Sequence, residues 1–354
     1  MNNVVKFVLG HRGPSNLVKR SVQIATRFGH NPERMGGRFE RFLDILDEFG
    51  IRPTFPITAL PMSRNPKFAH RLIDRGAELA VHAWSHIDLS ALDLAGQREH
   101  MGRAVELFRG CSVPFTGFRA PYLHWNEDTM RVVSEFQFRY DSNQTVWWDV
   151  IDASNMDAAA KEGLARGMAF YRPIPASEFR VLPFRRDGFI EIPVSLPDDE
   201  IPLDRMYIHD VNYLAGMWRR IFDLSYARGE LMTLQLHPER IDFFADALRG
   251  LLSDARAKQP KVWIATLDQI AQWWETKARN SRPDAVCQRK MPGRGSTWLP
   301  MALLTAITKS STPWLSSRSA RGQGTPVMSC CRAVLRRAPN RRRSSATGAS
   351  WRSS

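Results

Sequence analysis

Short runs of β-forming residues alternate along this chain with longer segments whose apolar positions recur at helical spacing. The runs predict strands at Val4 to Gly10, Thr54 to Ala59, Glu78 to Trp84, Gly117 to Tyr122, Phe189 to Val194, Leu231 to His237 and Val262 to Leu267. Between Glu33 and Phe49 the residues Phe39, Phe42, Leu43, Leu46 and Phe49 fall on one helical face, and Gly50 ends the segment as a C-terminal cap. The same spacing predicts helices at Pro66 to Arg75, Leu92 to Arg109, Asn126 to Gln137, Val211 to Arg228, Ile241 to Ala257 and Leu267 to Ala278. Strand followed by helix, repeated, implies parallel strands joined by right-handed crossovers. About seven such units in ~250 residues suit an irregular (β/α) barrel better than an open sheet.

That architecture says where chemistry belongs, because barrel sites form at the C-terminal ends of the strands. The polar residues at or just after the strand ends are His11 and Arg12, His82 and His86, Arg119, Asp141 and His237.

The pattern fades after Trp273 and Trp274, and the composition changes with it. The 354 residues carry 50 Lys+Arg against 36 Asp+Glu, a formal net charge of +14. Residues 281–354 hold 14 of those bases and one acid, Asp284, with 13 serines and no glutamate. The excess charge therefore sits in a tail, and the body gives no electrostatic reason to expect a nucleic-acid partner. We expect a barrel over residues 1–280 and a basic, low-complexity tail over 281–354 that is disordered and dispensable. The tail's Arg, Ser, Pro, Trp and Cys bias resembles a frameshifted reading of a GC-rich gene, and a functional basic arm that binds nucleic acid is the competing reading. No apolar run reaches the ~18 residues of a membrane span, and the first ten residues read as a strand rather than a signal peptide. These features predict a cytoplasmic protein. Cys111 is the body's only cysteine, so no disulfide framework and no cysteine zinc site can be built within it.

His82-Ala83-Trp84-Ser85-His86 follows the strand Glu78-Leu79-Ala80-Val81, so two imidazoles emerge near one strand end. Two imidazoles and one oxygen ligand make an open site for zinc or a related divalent ion. The alternative is a pair of histidines fixed by hydrogen bonds in a turn. Further strand ends follow in order: Gly117-Phe118-Arg119-Ala120-Pro121-Tyr122, Tyr140-Asp141-Ser142 and Leu234-Gln235-Leu236-His237-Pro238. With these segments the sequence resembles the polysaccharide deacetylase (NodB-homology) family, whose members remove N-acyl groups from sugars. The resemblance covers about residues 4–278. It implies a (β/α) barrel and metal-assisted amide hydrolysis of a saccharide or polysaccharide. It also implies His82 and His86 as metal ligands, His237 as general acid, Asp141 as the residue that orients His237, and Arg119 as the partner of the catalytic carboxylate. The bland alternatives are a loop salt bridge for Arg119, a turn former for Asp141 and a buried, satisfied histidine for His237.

The family's first strand ends in two adjacent aspartates, one the base and one a metal ligand. Here it ends Leu9-Gly10-His11-Arg12-Gly13-Pro14, with no carboxylate. His11 is then the candidate third metal ligand, and a base is sought in Asp88, Asp149 or Asp198-Asp199-Glu200. A barrel that binds saccharide without hydrolysing it is the second reading. Trp84, Tyr122, Trp125, Trp147 and Trp148 cluster near the same strand ends, each more readily a packing residue than a sugar platform.

Overall fold

The computed structural model describes residues 32–280 and 299–305. The predicted strand Val4 to Gly10, and His11 with it, lie outside the described residues. Twelve strands form one sheet: β1 (Thr54–Ile57), β2 (Glu78–Val81), β3 (Gly117–Phe118), β4 (Tyr140–Asp141), β5 (Thr145–Trp147), β6 (Ile174–Pro175), β7 (Phe184–Arg186), β8 (Phe189–Glu191), β9 (Val194–Leu196), β10 (Met232–Leu236), β11 (Val262–Ala265) and β12 (Leu299–Thr305). The helices are α1 (Pro32–Glu48), α2 (Ala59–Arg64), α3 (Pro66–Asp74), α4 (Leu94–Gly110), α5 (Glu127–Glu135), α6 (Ala158–Tyr171), α7 (Val211–Arg228), α8 (Ile241–Ala257) and α9 (Leu267–Asn280).

The strands run β6-β5-β9-β10-β12-β1-β2-β3-β4-β8-β7, with β11 paired to β12 off this path. Every ladder is parallel except the β7–β8 hairpin. This is the expected α/β arrangement of parallel strands with helical crossovers, and no ladder among the described residues joins β6 to β7 to close it. Helix ends follow local chemistry. Asn126 and Thr129 cap α5 reciprocally, Asp93 accepts from the Gly96 amide at 2.7 Å to start α4, and Gly229 closes α7 at φ 65°.

Side-chain parity decides which residues face the barrel interior. Leu79, Val81, Phe118, Leu234 and Leu236 belong to the main apolar core that includes the helix faces, from α1 Phe42 to α8 Leu248. Ala80, Tyr140, Ile190 and Ile192 form a second, smaller cluster. Successive strand residues point to opposite faces, so His82 shares the inner face of Ala80, Ser142 that of Tyr140, and Gln235 and His237 alternate with outward Leu234 and Leu236.

At the opposite end of the strands, Tyr140 donates to Glu78, and Glu78 accepts from Thr54 Oγ1 at 2.7 Å and from the Asp268 amide at 3.1 Å. Burial pushes the Glu78 carboxyl up, while these donors pull it down. Gly117 pairs with Tyr140 in register, and a Cβ on it would lie 1.9 Å from Tyr140 Cζ. Replacing Gly117 with Ala is expected to destabilise the fold by ~1–3 kcal/mol through overpacking, read as a lowered midpoint in denaturant with an unchanged slope.

The tail departs from expectation at one place. Leu299–Thr305 forms β12 between β10 and β1, with Met232 to Leu236 paired to Met301 to Thr305. Its sequence, Leu-Pro-Met-Ala-Leu-Leu-Thr, is the continuous apolar run that a strand inside a parallel sheet requires. A search for helical or alternating periodicity passes over such a run. The rest of the tail lies outside the described residues. Cys111 is buried and disulfide-bonded, its partner likewise outside them.

α2 and α6 also escape the sequence pattern. α6 buries Ala160, Gly163, Gly167 and Tyr171, a stripe too small to register as hydrophobic periodicity. Its Gly163 lets the backbone at Arg205 approach, since a Cβ there would fall 1.9 Å from the Arg205 carbonyl oxygen. That contact fixes the segment after β9, which matters for the site.

Candidate active site

His82 follows β2 directly, and its amide donates to the Ile57 carbonyl at 3.0 Å, extending the ladder by one rung. The imidazole is 2% exposed. Its Nδ1 donates to the Arg119 carbonyl at 2.8 Å, which leaves Nε2 with a lone pair. Nε2 is buried and has no hydrogen-bond partner among the described residues. Burial drives the His82 pKa down to about 3, with Arg119 and His237 also opposing a charge, so the ring is neutral at ordinary pH. A neutral imidazole locked at Nδ1 and bare at Nε2 is the form that ligates metal.

His86 lies four residues on, its ring centroid 5.1 Å from that of His82 and 4.5 Å from that of Tyr122. The intervening loop is held from several sides. The first amides of α2 donate to the Ala83 and Trp84 carbonyls at 3.0 and 2.8 Å. His100 on α4 accepts from the Trp84 amide at 3.3 Å, so its Nε2 donates to Ser85 Oγ at 3.2 Å. Burial, then Arg103, lowers the His100 pKa to about 4, which keeps that bonding pattern. Ala83 and Tyr122 both adopt left-handed backbone, at φ 62° each, a strain that clusters at functional loops.

Arg119 follows β3 and is buried. It donates to Gln235 Oε1 through Nη1 and to Ser142 Oγ through Nη2 at 2.7 Å. Gln235 in turn donates through Nε2 to Asp198 Oδ2 at 2.8 Å. Burial works against the Arg119 charge, and Glu191, Asp141 and Asp198 work for it.

His237 follows β10 and is 1% exposed. Its Nδ1 donates to Asp199 Oδ1 at 2.6 Å, and Arg240 donates to Asp199 Oδ2 at 2.9 Å and also to Asp204. The carboxylate bonded to His237 is therefore that of Asp199, not Asp141. Asp141 sits one residue off the inward parity of Tyr140 and Ser142. There its Oδ2 accepts from Asn143 Nδ2 at 3.0 Å beside Glu191, and burial followed by Glu191 raises its pKa. Glu191 accepts from Arg186 at 2.8 Å and from the amides of Asn143 and Gln144. Asp141 thus braces the loop after β4, and sequence spacing alone could not separate the two roles.

Of the candidate carboxylates, Asp88 is taken up by His124 at 2.8 Å and by the turn at Ser90, and Asp149 is exposed. Asp198 and Asp199 come to the site because β9 pairs with β10. Asp198, Asp199 and His237 each offer a ligand atom within 4.8 Å of the others, and all are buried. Burial, then Asp199 and Glu200, pushes the Asp198 carboxyl up to about 6. Trp84, Trp147 and Trp148 are buried in the core, as packing residues would be, while Tyr122 and Trp125 are half-buried. Among the described residues no helix is long and apolar enough to cross a membrane.

Residues 23–140 match the family model for polysaccharide deacetylase. Over 106 residues the chain is 31% identical to the peptidoglycan deacetylase-like protein FGM2 of Gibberella zeae, a match covering 29% of this chain and 31% of that one. It therefore spans about a third of the length of this curated relative. Two solved structures share the fold. One, from Mycobacterium smegmatis and assigned to the polysaccharide deacetylases, is 24% identical with a TM-score of 0.52, over 72% of this chain and 82% of that chain. The other, from Pseudomonas aeruginosa PAO1 and assigned likewise, is 20% identical with a TM-score of 0.53, over 68% and 73%.

Proposed function

We propose, on the premise that residues 23–140 carry a polysaccharide deacetylase domain, that this protein hydrolyses an N-acetyl or other N-acyl group from a saccharide with the help of a divalent metal. The family match supports saccharide deacetylation as the reaction class. The observation that carries the finer reading is the buried, unpartnered Nε2 of His82 beside His86, on the inner face that also presents the Asp199-braced His237.

The donor set suits a metal of the zinc type: neutral nitrogen from His82 and His86, with His11 as the sequence's candidate for a further ligand. Bound there, such an ion polarises the acyl carbonyl and lowers the pKa of the attacking water to about 7. The remaining work belongs to the chain. Asp199 accepts from Nδ1 of His237, fixes its tautomer and favours its protonated form, so Nε2 can deliver a proton to the departing amine. Arg240 holds Asp199 in turn. Arg119, through its carbonyl, sets the ring of His82 and, through its guanidinium, reaches the Gln235–Asp198 pair.

Replacing His82 or His86 with Ala is expected to remove most bound metal from protein prepared with zinc and to lower thermal stability by the linked binding energy. Elemental analysis showing equal metal in wild type and both variants would reject the site. Metal and N-acetylated oligosaccharide bound without hydrolysis would instead select the saccharide-binding barrel.

A further inference from the structure

We infer that Asp198 is the general base of this site, taking over from a different strand the role for which the chain's first strand has no carboxylate. The inference rests on the deacetylase reading above and adds a residue to it.

Three observations on the structure lead there. Asp198 is 1% exposed and lies in the same buried group as His237, the proposed acid. Its orientation is over-determined: Oδ1 accepts from the amides of Glu200 and Ile201 at 3.0 and 3.2 Å, and Oδ2 accepts from Gln235 at 2.8 Å. Through Gln235 it is joined to Arg119, so the buried guanidinium reaches a carboxylate by way of one amide. The neighbouring Asp199 cannot serve equally, because one oxygen is committed to His237 and the other to Arg240. An independent feature marks the cavity as a place for a ligand: the His82 Nε2 lone pair is buried and has no partner among the described residues.

In the reaction a water oxygen bonds to the acyl carbon while one of its protons passes to the Asp198 carboxylate. The carbon–nitrogen bond then breaks as His237 gives its Nε2 proton to the nitrogen, leaving a carboxylic acid and an amine. Asp198 loses its proton to solvent and His237 takes one up, so one water is consumed and both groups return to their starting states.

The test uses the full chain loaded with zinc and an N-acetylated chito-oligosaccharide. Asp198→Asn keeps the shape and the oxygen that accepts from the Glu200 and Ile201 amides. It should retain wild-type metal content and KM while kcat falls ~10²–10⁴-fold. Asp198→Ala should be comparably slow, and added formate should restore turnover in a saturable manner, which a residue with only a structural role would not allow. Wild-type turnover in Asp198→Asn, loss of metal from it, or an Asp198→Ala variant that folds but ignores formate would each overturn the assignment while leaving the deacetylase reading intact. A wild-type protein that binds metal but does not hydrolyse the substrate would overturn both.

Discussion

Alanine at His237 is expected to lower kcat on an N-acetylated oligosaccharide by ~10²–10⁴-fold, the usual cost of losing a positioned proton donor. KM should change little, because the proton is needed only as the carbon–nitrogen bond breaks. Asp199→Asn should fall in the same direction and by less. An amide in place of the carboxylate can still take a hydrogen bond from His237 but no longer favours its charged form. It also leaves Arg240, itself buried and held charged by Asp199 and Asp204, with one anion fewer. Steady-state kinetics on the three proteins, with metal content measured alongside, check the assignment. If His237→Ala loses metal in proportion to activity, then His237 is a ligand, and the cluster with Asp198 and Asp199 is the cation site.

Ending the chain after Asn280 is expected to destroy the cooperative thermal transition or lower its midpoint by more than ~10 °C, whereas ending it shortly after Thr305 should leave it in place. The first truncation removes β12 from between β10 and β1, and with it the only ladder of β11. Backbone groups that β12 satisfies would be left without partners, at ~1–3 kcal/mol for each that stays buried. Paired melts followed by circular dichroism decide the matter. Equal midpoints for the two truncations would show that residues 299–305 contribute nothing to the sheet, and would restore the reading of the whole tail as dispensable.

Much of this protein is legible in its sequence because it is local. α7 and α8 begin and end where the apolar spacing and the caps place them, at Val211–Arg228 and Ile241–Ala257. β1, β2, β10 and β11 appear inside their predicted runs, shortened at the C-terminal ends where the ladder gives way to site loops. The parallel α/β class followed from their alternation. His82, His86, Arg119 and His237 could be singled out because each stands just past a strand end in a motif of fixed spacing.

What the sequence could not decide is which distant residues meet. The run Phe189 to Val194 reads as one strand, but the chain breaks at Ile192-Pro193 into β8, which pairs with β4, and β9, which pairs with β5 and β10. That break sends Glu191 to Asp141 and brings Asp198 and Asp199 to His237, about forty residues along the chain. The orienting carboxylate is thereby exchanged. Asp141 lies one position off the inward parity of β4, and a single-residue offset in a strand turns a side chain to the opposite face. Likewise the seven residues of β12 carry no period of their own, since a strand covered on both faces is apolar throughout, and only the order of the sheet gives them a place. Periodicity records the face an element buries, whereas partner choice is settled by non-local pairing that no window of sequence contains.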